Sequence, residues 1–224
     1  MRVFMSPDRI WQKPGASQAD QVRPHVLWTM QDHPHVLGYF REIRQVLAPY
    51  TDIVTPIAED DLHWTIQGAH AVDIAGDRVG APQLATAAKA IGHELSGIQP
   101  FEVTIGPASL SRSAVMVRVL PRTPGRDVFA DLSTAVRTGL TAAGLTMPAA
   151  PKIPHASAAY GAADTYNDPQ LAQHCDDLAS VLIHEARHEV TVTVDTLHLV
   201  METQDVAGNT YHFDRVHDLP LGQR

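Results

Sequence analysis

His63-Trp64-Thr65 and His155-Ala156-Ser157 are two His-x-Thr/Ser triplets set 92 residues apart. On a strand, residues i and i+2 point to one face, so each triplet presents an imidazole beside a hydroxyl. Brought together, two such strands would offer two groups for proton transfer and two hydroxyls to hold an anion. That set suffices for acid–base chemistry on a phosphodiester without a metal. A triplet this short carries little weight alone in a chain of 224 residues with 13 histidines. The weight comes from the elements around it, which recur.

Arg23 to Met30 reads as a strand, and apolar residues at Leu37, Phe40, Ile43, Val46 and Leu47 carry helical spacing. The first triplet follows in Leu62 to Gln67, then a helical stretch from about Leu84 to Leu95 and a strand at Phe101 to Ile105. A shift of 92 returns the same order: a strand at Ala114 to Leu120, then a helix with Val128, Leu132, Val136 and Leu140 on one face. The second triplet sits in Pro154 to Ala159, followed by a helix from about Leu171 to Ile183, a strand at Val190 to Met201 and a last strand at Tyr211 to Leu219. This is a repeat of pattern rather than of letters. It predicts two similar α+β lobes sharing one core, residues 22–222, behind an irregular arm, residues 1–21, rich in Pro, Gly, Ser and Gln.

Composition narrows the function classes. Hydrophobic residues make up 44%, and no apolar run approaches the roughly 18 residues of a membrane helix. The N-terminus lacks the apolar core and small-residue cleavage site of a signal peptide. The single cysteine, Cys175, excludes an internal disulfide and fits a reducing compartment, so a cytoplasmic location is expected. Net charge is −8, which argues against a broad basic surface tracking a long duplex but leaves room for a local cleft that takes one or two phosphates.

The residues Asp61-Leu62-His63-Trp64-Thr65-Ile66 and Pro154-His155-Ala156-Ser157-Ala158-Ala159-Tyr160-Gly161 resemble the paired motifs of the 2H phosphoesterases, which include the bacterial 2′-5′ RNA ligase-like proteins and cyclic nucleotide phosphodiesterases. The likeness extends over roughly residues 22 to 222, including the closing strands VDTLHLVMET and YHFDRVHDLPLG. It implies an α+β fold of two pseudo-symmetric lobes, each an antiparallel sheet with outer helices, facing a central cleft. It implies His63 and His155 as the catalytic pair, Thr65 and Ser157 as the phosphate-binding hydroxyls, and no cofactor. By the same analogy His155 would be the base and His63 the acid in hydrolysis of a cyclic phosphate or 2′-5′ linkage in an RNA terminus or small nucleotide, by a monomeric enzyme. Histidine suits either role, because its ordinary pKa lies near 6.5. No basic residue follows the second triplet closely; Tyr160 stands there instead and is a candidate substrate contact. Gln67 would share the His63 face and is a second candidate. Trp64, on the opposite face, reads as packing, and Lys152 as a solvated loop lysine.

Two rivals stand beside this reading. His184-Glu185-Ala186-Arg187-His188 is a literal H-E-x-x-H, which on a helix would hold zinc and make a metallopeptidase. Strand alternation starts directly after Glu189, however, and His198 lies in that strand, so no helical third ligand is in view. The other rival is a scaffold that binds nucleotides or RNA ends without turnover, whose mark would be a lost histidine or hydroxyl; here all four are present. His33, His35, His70, His212 and His217 read as loop, edge or surface positions.

Overall fold

Strand β1 (Val22–Thr29) leads into helix α1 (Pro34–Leu47), the short β2 (Val54–Pro56) and β3 (His63–Gly68), in a computed structural model that describes residues 1–6, 9–10 and 22–223. Helix α2 (Ala81–Leu95), β4 (Phe101–Leu110), β5 (Ala114–Pro121) and α3 (Val128–Ala142) follow. The chain closes with β6 (His155–Gly161), α4 (Pro169–Glu185), β7 (Val190–Val194), β8 (Thr196–Asp205) and β9 (Thr210–Pro220). Most of the expected arm, residues 7–8 and 11–21, lies outside the described residues. Local chemistry explains the helix starts: Asp127 accepts from Ala130 N at 3.0 Å, and Asp168 accepts from Gln170 N and Leu171 N at the head of α4. Pro34 and Pro169 open α1 and α4, where a missing N–H costs nothing.

Among the described residues, the strands form one antiparallel sheet in the order β7-β4-β5-β6-β3-β1-β8-β9, with β2 beside β6. A single residue pair, Trp64 with Ala156, joins β3 to β6 at its centre. Two halves, β7-β4-β5-β6 with β2 and β3-β1-β8-β9, therefore meet at the two triplets. Helices α2 and α3 cover the β3-β1-β8-β9 half, while α1 and α4 cover the other. Each half thus takes elements from both ends of the chain. The expected strand Val190 to Met201 is two strands: it breaks at Asp195, and β7 and β8 run in opposite halves of the sheet.

The core lies between the sheet and these helices. Trp64 and Ile66 are fully buried on the helix face of β3, and Trp64 stacks near Phe129 of α3. Removing a tryptophan so enclosed costs about 3–5 kcal/mol. At Gly139 the two helices come so close that a Cβ would lie 2.6 Å from Ile91 Cα, which only glycine permits.

One irregularity occurs twice. In the β1–β3 pair Leu27 faces Thr65 but Val26 faces Gln67, so Ile66 is an extra residue. In the β5–β6 pair Met116 faces Ser157 but Val115 faces Ala159, so Ala158 is extra. Each bulge falls immediately after its His-x-Thr/Ser triplet, and the two extra residues are again 92 apart. A bulge turns the strand and resets which side chains face which side, so both halves use it to end the alternation that exposes the triplet.

Candidate active site

The two triplets meet at the middle of the sheet on the face opposite the helices. Because Trp64 pairs with Ala156 in antiparallel register, the neighbours fall as His63 across from Ser157 and Thr65 across from His155. In that order histidine and hydroxyl alternate across the two strands. All four are partly exposed, whereas Trp64 and Ala156 between them are buried.

Each imidazole is anchored in the same way. His63 Nδ1 lies 2.7 Å from the carbonyl of Asp61, and His155 Nδ1 lies 2.8 Å from the carbonyl of Ile153, two residues earlier in both cases. A carbonyl only accepts, so Nδ1 is the protonated nitrogen and donates. Nε2 is then left to exchange a proton with a bound molecule, and the ring is held in one orientation.

Their surroundings differ. The His63 ring packs against Phe213 of β9, with centroids 4.3 Å apart. Asp61 fastens that strand: its carboxylate accepts from Phe213 N at 3.2 Å and pairs with His212 Nδ1 at 2.8 Å. Burial lowers the His63 pKa below the ordinary 6.5, and the Asp61 carbonyl only partly opposes this. Among the described residues no aromatic ring is stacked on His155 in this way. Its cross-strand partner on the same face is Arg118, exposed and without an ion pair among the described residues. The matching position beside His63 is Thr29, whose hydroxyl takes a hydrogen bond from Arg215; that arginine is also tied to Asp32 at 2.6 Å.

Two candidate contacts sit otherwise than the sequence suggests. Gln67 does not share the His63 face: it is fully buried on the helix side. Its amide donates to the carbonyls of Gly68 and Pro148, and its oxygen accepts from Arg137 of α3 at 3.0 Å. The bulge at Ile66 is the reason, since it places Ile66 and Gln67 on the same side. Tyr160 returns to the triplet face beyond its own bulge, but its ring is 3% exposed and stacked beneath Phe4 at 3.8 Å. Lys152 is exposed in the loop before β6. Arg118, Asp61 and Phe213 were missed. Arg118 had a signal, as the only charge in the strand AVMVRVL; Asp61 and Phe213 meet only through the curl of the sheet.

The H-E-x-x-H segment forms no metal site. Helix α4 ends at Glu185, so His188 leaves the helical face, pairs with Glu42 at 2.9 Å and packs on Tyr39. Among the described residues no three His, Cys, Asp or Glu side chains converge as a metal would require. No described helix is long and apolar enough to cross a membrane.

With this geometry in place, the comparisons with known proteins are decisive for the family. Residues 41–205 match the family model of the 2′-5′ RNA ligase superfamily. The chain belongs to that superfamily. The match spans most of the sequence, both triplets included, and the superfamily is the 2H phosphoesterase group that the motifs resemble. Membership supports a phosphoesterase or RNA ligase-like function. No curated protein sequence matches the chain. Among solved structures, TT0787 of Thermus thermophilus superposes with TM-score 0.59 at 16% identity, covering 90% of this chain and 98% of that one. LigT of E. coli, complexed with 3′-AMP, superposes with TM-score 0.57 at 17% identity and the same coverage. A structure described as a phosphoesterase gives TM-score 0.59 at 16% identity, also with the same coverage. At these identities the likeness is one of fold: an antiparallel sheet backed by helices.

Proposed function

We propose that this superfamily member is a phosphodiesterase that opens a 2′,3′-cyclic phosphate, or cleaves a 2′-5′ linkage, at an RNA end or in a small nucleotide. The observation that carries this reading is the twin anchoring of His63 and His155, each with Nδ1 on a carbonyl two residues back and each beside a hydroxyl. The crystal structure of LigT with 3′-AMP supports a nucleotide as the ligand class.

In this mechanism Thr65 and Ser157 donate to the two non-bridging phosphate oxygens, and Arg118 adds positive charge from the neighbouring strand. One histidine takes a proton from water as its oxygen bonds to phosphorus. The other gives a proton to the ribose oxygen as the phosphorus–oxygen bond to it breaks. Burial beneath Phe213 disfavours the charged form of His63, so the ring rests neutral with its Nε2 lone pair open to a proton. We therefore assign His63 as the base and His155 as the acid for hydrolysis, the reverse of the roles implied by family resemblance. Reversal of the reaction exchanges them.

The test is hydrolysis of nucleoside 2′,3′-cyclic monophosphates, with and without EDTA, by the wild type, His63→Ala and His155→Ala. Turnover that resists EDTA and is lost in both variants is the expected result. Turnover that survives either substitution overturns the site.

A further inference from the structure

Residues 1–6 and the far end of β6 border a cavity of about 650 Å³ at the opposite end of that strand from His155. It lies where Met1–Ser6 meets the β4–β5 hairpin, and Arg2, Arg9 and Arg112 line it with Ser113, Tyr166 and Asp164. Among the described residues its lining holds three arginines and one carboxylate, on a chain whose net charge is −8. Arg112 is exposed and makes no ion pair among the described residues. Arg2 lies over the ring of Tyr166, 5.5 Å from its centroid, and that tyrosine is 63% exposed.

Residues 1–4 are fixed in place by backbone hydrogen bonds. Arg2 N donates to the Arg112 carbonyl at 2.7 Å, Phe4 N to the Gly161 carbonyl at 2.8 Å and Val3 N to Asp164 at 3.1 Å. The N-terminal amine donates to the buried Thr165 hydroxyl. A Cβ at Gly161 would overlap the Arg2 carbonyl oxygen, so glycine there lets the arm lie directly on β6. Arg2 and Arg112 are therefore presented by ordered backbone, which reduces the entropy lost on gripping a ligand.

A chain of ring contacts runs from the edge of this cavity to His63. Phe4 stacks on Tyr160, and Arg9 covers the outer face of Phe4 at 4.5 Å. Tyr160 meets Tyr211 edge-on, and Phe213, two residues further along β9, touches His63. From His155 to Gly161 the strand runs six residues, about 20 Å at the usual rise. That is a span of several nucleotides.

We propose that the cavity binds the phosphate and base of a nucleotide upstream of the reacting end, so that the substrate is an RNA oligonucleotide rather than a mononucleotide. Guanidinium groups match phosphate oxygens in pairs, and the free face of Tyr166 can stack a base. This inference rests on the phosphodiesterase reading above, and the test separates the two. Hydrolysis is compared between a short RNA ending in a 2′,3′-cyclic phosphate and a nucleoside 2′,3′-cyclic monophosphate, for the wild type, Arg112→Ala and Arg112→Lys. Binding of an RNA of the same length ending in a 3′-phosphate is measured alongside, across salt concentrations.

The expected result is a wild-type preference for the oligonucleotide that falls about tenfold in Arg112→Ala and is partly restored by lysine. The slope of log affinity against log salt should flatten by about 0.7 in Arg112→Ala for the lost phosphate contact. An oligonucleotide-to-mononucleotide ratio identical in wild type and Arg112→Ala overturns the proposal while leaving the phosphodiesterase reading intact. If neither compound is hydrolysed, that reading fails, and RNA affinity decides the cavity: dependence on Arg112 supports it, and indifference to Arg112 overturns it.

Discussion

The two triplet strands are built alike and furnished differently. Both carry the imidazole on a carbonyl two residues back, both set a hydroxyl two residues on, and both end in a bulge that returns the strand to the core. Yet His63 is roofed by Phe213 and a strand held by Asp61, whereas His155 lies beside Arg118, which makes no ion pair among the described residues. Geometry is what the halves share, and electrostatics is where they part. The proposed reaction moves one proton on and another off, and two imidazoles anchored alike in unlike surroundings suit such a division of roles.

The shared part predicts the largest effects. His63→Ala and His155→Ala should each lower kcat by about 10²–10⁴-fold, the usual worth of a proton-transfer group. Comparable losses in the two variants are expected despite the different surroundings. A loss confined to one half would show that the second triplet is structural.

A tenfold scale is expected where the halves differ in charge. Arg118→Ala should lower kcat/KM about tenfold, because its guanidinium makes no ion pair among the described residues and lies beside His155. Arg215→Ala should act on stability instead, at about 1–2 kcal/mol, because that side chain is engaged by Asp32 and Thr29. Thermal melts beside steady-state kinetics distinguish the two. Equal kinetic losses from both would remove the contrast between the two arginines.

How much of this was legible in the chain follows from the range of each interaction. The triplets, the helices and nearly all strands were readable because periodicity is local: Leu37, Phe40, Ile43 and Leu47 mark α1 without reference to anything else. The partners of those elements were not. The 92-residue repeat suggested that each lobe is a stretch of sequence, but α1 packs on the half that contains β6, and α3 on the half that contains β3. Nothing in VTVTVDTLHLV announces that the chain changes halves at Asp195. Gln67 shows the same limit on a smaller scale. Alternation from His63 puts it on the open face, and one extra residue at position 66 puts it against Arg137. A bulge is decided by the partner strand, so a single strand's letters do not disclose it.

Asp61 provides a smaller test of how the roof is held. Its carboxylate ties β9 down, while its backbone carbonyl holds the His63 ring, and the carbonyl survives any substitution. Asp61→Ala should cost about 1–3 kcal/mol in stability by leaving the Phe213 amide without its acceptor. It should also lower kcat several-fold and move the pH dependence as below, with Asp61→Asn restoring part of both. Lost stability with an unmoved pH profile would make Asp61 a purely structural residue.

The smallest effect is the most specific to the difference between the halves. If His63 is the base, kcat/KM falls on the acid side as His63 takes up a proton. Because burial lowers its pKa, that limb should lie below pH 6.5 in the wild type. Phe213→Ala opens the ring to water and removes the first cause of the shift, so the limb should move up toward the ordinary imidazole value. At neutral pH the variant and the wild type then differ little, while at pH 5.5 the variant loses proportionately more. Should the acid limb stay where it is, Phe213 does not set the proton affinity of His63. Should the group that titrates in that limb prove to be His155, by NMR of the two imidazoles, the assignment of base and acid must be exchanged, and the roof over His63 would need another purpose.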